Sequence, residues 1–131
     1  MVQLTEKAKK LIGAPNIGNL ATLMADGTPH LTPVWVDYED NHVLVNTAEG
    51  RQKLVNVRRD PRVAVSVFNA DNPYEMVSIR GRVVETTHEG ADEHIDKLAK
   101  KYLGRERYPF RRQGEQRVII KIEPEHVMGS S

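Results

Sequence analysis

The 131-residue chain has no cysteine, few aromatic residues and no long apolar run, and each shortage excludes a class of protein. Without cysteine there is no disulfide framework, no thiolate nucleophile and no zinc site of the cysteine type. No segment has the length and apolarity of a membrane-spanning helix, and the N-terminus lacks the apolar core of a signal peptide. The formal net charge is only +1, so no overall field favours nucleic acid or an acidic membrane. We therefore expect one cytoplasmic domain over residues 1–131, without a nucleic-acid or membrane partner.

The familiar catalytic motifs are also missing. The sequence contains no Gly-x-Ser-x-Gly elbow, no Walker-type glycine loop and no dinucleotide fingerprint. Its five histidines show no metal-ligand spacing, and the acidic segment around His88 and His94 is typical of a solvated helix face. We therefore expect no metal site, and no catalytic residue can be named. Such a chain is still able to act as an enzyme if a cofactor carries the chemistry.

Short strands and tight turns dominate the pattern. Thr5 is a good N-cap for a first helix, Asp26-Gly27 is a strong hairpin signal, and Asp60-Pro61 ends a central basic helix that follows Gly50. Six strands and three helices without regular alternation predict an α+β fold, an antiparallel sheet closed towards a small barrel. The predicted helices cover 5–12, 51–59 and 89–103; the strands cover 17–24, 30–38, 42–47, 62–68, 74–87 and 118–122; a loop covers 69–73, a basic loop 105–117 and a tail 123–131.

Two residues mark irregular positions in these strands. Pro33 cannot donate to a strand ladder, so its strand is expected to bulge or to lie at a sheet edge around Thr32–Trp35. Gly81, inside the long strand, indicates a bulge or a close backbone approach.

The stretch 46–62 is the main candidate for a binding function. A strand that leads into the N-terminal end of a basic helix presents free N–H groups and the positive end of the helix dipole, which together favour a phosphate. Arg51 and Lys53 lie at this point. A solvated charged helix is the alternative for any basic helix, and we expect scaffold contacts from the remaining cations, Arg58, Arg59 and Arg62.

Neighbouring segments offer the other parts of a cofactor site. A disrupted ladder at Thr32–Trp35 leaves backbone N–H and C=O groups free to contact the edge of a flat ring. Asn46, Thr47 and Asn56 are polar groups suited to a sugar-like chain. As alternatives, Trp35 is an interface or core aromatic, and Asn46 and Thr47 cap a turn.

Three runs of the sequence together resemble a known group of proteins. The pattern Asp26-Gly-Thr-Pro-His-Leu-Thr-Pro-Val-Trp35, Asn46-Thr47 and Arg51-Gln-Lys-Leu-Val-Asn-Val-Arg-Arg-Asp-Pro-Arg62 resembles the split β-barrel flavin-binding superfamily, which includes pyridoxamine 5′-phosphate oxidases. The last of these runs is most similar to reductases that use the deazaflavin coenzyme F420. The likeness covers residues 5–87 and 118–129.

The resemblance implies a split-barrel homodimer with short flanking helices and with a cofactor, F420 or alternatively FMN, at the dimer interface. It places the end of the second strand against the ring, the end of the third strand near the ribityl and phosphate groups, and the helix cations on the phosphate, while the long strand of the other subunit completes the site. The implied cofactor-binding residues are Thr32, Pro33, Val34, Trp35, Asn46, Thr47, Arg51, Gln52, Lys53, Asn56, Met76 and Ser78.

The implied function is transfer of a hydride from reduced F420 to an unsaturated small organic acceptor. The alternatives are an FMN-binding flavin reductase or electron carrier and a flavin- or deazaflavin-binding protein without turnover. The oxidase pattern has glutamine where Met76 stands, so oxidation of pyridoxamine phosphate is not expected. The cations of the basic loop are expected at the surface, where they are placed to hold a polyglutamate tail: Arg105, Arg107, Arg111 and Arg112.

Overall fold

Seven antiparallel strands form one sheet in the computed structural model, which describes residues 2–130, and three helices pack on that sheet. The strand order is β2-β1-β5-β6-β7-β4-β3. This is the expected α+β split barrel, with seven strands in place of six. The helices are α1 (Glu6–Gly13), α2 (Gln52–Arg59) and α3 (Ala91–Leu103), and the strands are β1 (Gly18–Leu23), β2 (Pro29–Val34), β3 (Val36–Glu39), β4 (His42–Ala48), β5 (Arg62–Asn69), β6 (Asn72–Thr87) and β7 (Arg117–Ser130).

The predicted strand over 30–38 is in fact two strands that lie at opposite edges of the sheet. Only Trp35 separates β2 from β3. Because one residue connects the two edges, the sheet must curl until those edges lie close together. Pro33 lies on the edge strand β2, opposite Asn19 of β1. An edge strand tolerates a residue that has no N–H to donate, so the expected edge position is confirmed.

Residues 123–130 are not a tail, because β7 continues to Ser130 along β6, and Ser131 lies outside the described residues. Pro124 weakens the strand signal in the sequence. In the sheet it lies opposite Gly81, beside a register shift between Arg80 and Gly81, so the predicted irregularity at Gly81 is confirmed. The predicted loop over 69–73 is shorter than expected, since β6 begins at Asn72.

A central apolar core fills the concave side of the sheet. Leu20, Val65, Ile79 and Ile120 come from four neighbouring strands, and each is 2% exposed or less. The hydroxyl of Thr5 caps α1 by accepting a hydrogen bond from the Ala8 N–H at 3.0 Å, as predicted. Within residues 2–130 no helix is long and apolar enough to cross a membrane.

The far end of α2 is tied to the rest of the fold through its arginines. Arg58 binds the Glu49 carboxylate with two hydrogen bonds of 2.7 and 2.8 Å, and Arg59 donates to the Leu23 carbonyl at 2.5 Å. Arg62, just beyond the helix, pairs with Asp60 at 2.7 Å. The expectation that these cations serve the scaffold is confirmed.

Candidate functional site

A cavity of about 350 Å³ opens where the strand ends around Trp35, the end of β4 and the start of α2 meet. This volume lies within the range of about 300–1,000 Å³ that is typical of small-molecule sites. The structure brings together there many of the residues predicted to bind a cofactor: Pro33, Val34, Trp35, Asn46, Thr47, Arg51 and Lys53.

Aromatic side chains form one wall of this cavity. Trp35 stacks on Tyr102, with ring centroids 5.2 Å apart and planes 5° apart, and Tyr108 meets the Trp35 indole edge-on at 6.0 Å. The Tyr102 hydroxyl donates to the Asn16 carbonyl at 2.7 Å and accepts from the Val36 N–H at 3.0 Å. These contacts fix Trp35 at the junction of the two sheet edges, so the cavity has a rigid flat surface against which a ring can pack.

Two cationic side chains, Arg51 and Lys53, line the cavity at the start of α2. Within residues 2–130, the side chains of Arg51 and Lys53 form no hydrogen bond or ion pair, and none of the residues that line the cavity is acidic. Burial lowers the pKa of the half-buried Lys53, and the positive charges of Arg51 and Arg117 lower it further. The cavity therefore carries uncompensated positive charge beside a helix N-terminus, an arrangement that favours an anion.

A buried hydroxyl points to a ligand in the same place. Thr47 is 2% exposed and lines the cavity, yet its Oγ1 has no hydrogen-bond partner in the described chain. A buried polar atom without a partner is costly, so such atoms in native proteins normally meet a ligand or water. The aromatic wall, the two cations and this hydroxyl together fit a flat-ringed molecule that carries a phosphate.

A network of hydrogen-bonded polar side chains extends from the cavity lining into the protein. His94 Nε2 lies 3.1 Å from Asp37 Oδ2, and His94 Nδ1 lies 3.1 Å from Asn46 Nδ2. Asn46 Oδ1 accepts from Arg117 Nε at 2.9 Å. Burial alone would raise the pKa of Asp37, but the His94 hydrogen bond, the Lys97 ammonium and a backbone N–H outweigh it and lower that pKa to about 2. Asp37 is therefore a carboxylate at neutral pH.

His94 corrects the sequence analysis, which placed it on a solvated face with His88. It is 8% exposed and buried among α3, β3 and β4, whereas His88 is exposed and lies 2.9 Å from Glu49. The helical spacing from Ala91 to Ile95 and Leu98 carried the signal, because His94 falls on the same apolar stripe. No group of His, Asp and Glu residues within 2–130 is arranged to hold a metal ion.

The structure does not bring every predicted residue to this cavity. Asn56 is fully buried, and its side-chain Nδ2 donates to Thr22 Oγ1 at 2.9 Å. Its side-chain Oδ1 accepts from Gln52 Nε2 at 2.8 Å. Thr32 Oγ1 is buried without a partner in the described chain but does not line the cavity, and neither do Met76 and Ser78 on β6. The cofactor contacts assigned to these residues remain predictions.

The sequence analysis missed four residues that line the cavity. Arg117, assigned to the end of the basic loop, is 6% exposed as the first residue of β7. Tyr108 comes from the same loop, which Asp96 holds by accepting from the Tyr108 N–H at 2.8 Å. An arginine directly before an apolar strand was the available signal for Arg117. The four residues are Ile17, Ile95, Tyr108 and Arg117.

The fold and cavity define a split-barrel protein with a site suited to a phosphate-bearing ring compound. A model of the pyridoxamine 5′-phosphate oxidase family matches residues 4–130. The chain belongs to this family, as the resemblance implied.

Two of the similar proteins come from Mycobacterium tuberculosis. An F420H(2)-dependent biliverdin reductase of Mycobacterium tuberculosis is 28% identical, over 98% of this chain and 90% of that protein. A solved structure of an F420 reductase superposes with a TM-score of 0.80 at 29% identity, over 92% of this chain and 94% of the other. A conserved hypothetical protein of M. tuberculosis superposes with a TM-score of 0.76 at 25% identity, over 100% of this chain and 86% of the other.

Proposed function

We propose that this protein is an oxidoreductase that binds reduced F420 in the cavity beside Trp35 and uses it to reduce an unsaturated small organic acceptor. The observation that carries the proposal is the uncompensated cation pair at the start of α2, next to an aromatic wall. Two relatives of similar length, one named an F420 reductase and one an F420H(2)-dependent biliverdin reductase, support F420 over FMN.

Each part of the site has a separate task in this proposal. Arg51, Lys53 and the N–H groups of α2 bind the phosphate, and the Thr47 hydroxyl donates to a nearby ligand oxygen. Trp35 orients the ring, and Tyr108 above it keeps water out. The bound deazaflavin supplies a hydride donor, so the protein needs no nucleophile of its own.

The single tryptophan of the chain provides a direct binding assay. Because Trp35 lines the cavity and is held there by Tyr102, ring binding is expected to quench its emission as F420 is added. The same titration with FMN compares the two cofactors in one protein sample. Trp35→Phe is the control, since it must remove the protein signal while the cofactor's own fluorescence still reports binding.

The outcomes separate the candidate functions. Quenching by F420, followed by oxidation of F420H2 with biliverdin, enones or quinones, supports the proposal. Tight FMN binding without a response to F420 would replace it with an FMN reductase or electron carrier, which membership of the oxidase family favours. Binding of F420 without turnover across that panel would leave a cofactor-binding protein.

We also propose that two copies of the chain share the site. Phe68 pairs with Met76, and Ser78 with Met128, so these side chains lie on one face of adjoining strands. Phe68, Met76 and Met128 are 44%, 38% and 67% exposed, an apolar surface that favours association. Ile17 precedes the residue that pairs with Val67, so this patch runs up to the cavity wall.

Met76→Glu is expected to dissociate the dimer, because it places a charge in the centre of this apolar patch. Sedimentation of the wild type and the variant measures the change, and cofactor affinity is expected to fall with the loss of the second subunit. Leu103→Glu is the control, since Leu103 is 43% exposed at the end of α3, outside the patch. A monomeric wild type with full cofactor affinity would overturn the shared site.

A further inference from the structure

The hydrogen-bond partners of Asn46 fix its orientation without ambiguity. Its Nδ2 lies 2.9 Å from the Ala91 carbonyl, which only accepts, and its Oδ1 lies 2.9 Å from Arg117 Nε, which only donates. The second Nδ2 hydrogen therefore points to His94 Nδ1, 3.1 Å away. With the Asp37 carboxylate at the other side of the ring, the contacts assign His94 as an acceptor at Nδ1 and a donor at Nε2.

Arg117 ends this series of hydrogen-bonded side chains and lines the cavity. Its Nε is bound to Asn46, its Nη1 donates to Glu115 Oε1 at 2.8 Å, and its guanidinium lies 5.1 Å from the centre of the Tyr108 ring. Within residues 2–130, its Nη2 has no hydrogen-bond partner. Glu115 balances the charge of Arg117, so Arg51 and Lys53 supply the net positive charge of the cavity.

We propose that Arg117 donates directly to the cofactor phosphate beside Lys53, and that His94 is the positioning residue that holds it there through Asn46. The inference rests on the proposed function, because it assigns further parts of the same site. It also gives Asn46 a different role from the predicted one. Both Nδ2 hydrogens of Asn46 are already used by His94 and the Ala91 carbonyl, so Asn46 orients the arginine rather than donating to the ligand.

Two substitutions of His94 separate positioning from packing. In His94→Asn the side-chain oxygen occupies a place near Nδ1, so it still accepts from Asn46 but no longer reaches Asp37. In His94→Gln the amide nitrogen reaches towards Asp37, and the acceptor for Asn46 is lost. If His94 acts only through packing, each variant should lose phosphate preference in proportion to its loss of stability. If His94 positions Arg117, only the variant that lacks the acceptor for Asn46 should lose that preference.

The readout is the preference for the phosphate-bearing form of each cofactor. We would measure affinities for FMN against riboflavin and for F420 against its phosphate-free deazariboflavin. His94→Gln and Arg117→Gln are each expected to reduce the phosphate preference about tenfold, the size of one charge-assisted hydrogen bond. His94→Asn is expected to keep it. Arg62→Gln, which removes an exposed arginine from the scaffold, is the charge-matched control.

A second measurement needs no cofactor. Nitrogen-15 spectra of the wild type are expected to show His94 protonated on Nε2 alone, and inorganic phosphate is expected to shift the Arg117 Nε–H signal. If phosphate shifts that signal but neither cofactor binds, the proposed function fails and the anion site stands. If the cofactors bind but Arg117→Gln keeps the full phosphate preference, or if both His94 variants lose it equally, this inference is wrong and the proposed function stands.

Discussion

Replacing Arg51 and Lys53 together with alanine is expected to weaken F420 or FMN binding by about 3 kcal/mol, or roughly two orders of magnitude in Kd. Both cations lie at the N-terminal end of α2, and neither has a partner within residues 2–130. All of their charge is therefore available to a ligand. Titration of the double variant by Trp35 emission measures the loss.

The same double variant is expected to keep its thermal stability without cofactor. Burial and neighbouring positive charges lower the pKa of Lys53, which means that the folded protein disfavours its charged form. Removing that charge does not cost folding free energy. An affinity loss accompanied by a large drop in Tm would show that these cations support the fold instead.

Arg58→Ala combined with Arg59→Ala is the matched control, because it removes the same charge from the same helix. Arg58 already binds Glu49 and Arg59 already binds the Leu23 carbonyl. We expect this variant to lose some stability and to keep its affinity for the cofactor. Equal losses of affinity in both double variants would mean that only the overall positive field of α2 attracts the ligand.

Most strands were predictable because apolar alternation and turn residues are local signals. The crossing at Trp35 was harder, since the run from His30 to Tyr38 is continuous and nothing within it shows that its two halves pair with different partners. The second half of β7 was missed for a related reason. Pro124 argues against a strand unless the glycine opposite it is known, and pairing of Gly81 with Pro124 is a long-range fact.

The candidate site divides in the same way. Arg51 and Lys53 follow directly from a strand that ends before a basic helix, and Trp35 follows from its proline-disrupted strand. Tyr108 and Arg117 reach the cavity through a loop held by Asp96 and through pairing of β7 with β4, neither of which the sequence encodes locally. His94 was predictable from helical spacing, but the acidic residues around it suggested exposure.

Gly81→Ala is expected to destabilise the protein by about 3 kcal/mol, among the larger effects of a single methyl group. An added Cβ would overlap the Glu123 carbonyl oxygen and lie 3.2 Å from the Pro124 Cα. Both are backbone atoms, so no side-chain rotation relieves the overlap, and β6 must separate from β7. Denaturant unfolding of wild type and variant measures the difference.

Gly129→Ala is the control on the same pair of strands, because its added Cβ would lie 3.2 Å from the Met76 carbonyl oxygen at the exposed end of the pair. We expect it to cost much less than Gly81→Ala. The central substitution acts where the register shifts and Pro124 withholds a ladder bond, so β7 has little freedom to move aside there. If the two variants were equally stable, close approach at Gly81 would not be what requires glycine, and the register shift itself would be the remaining cause.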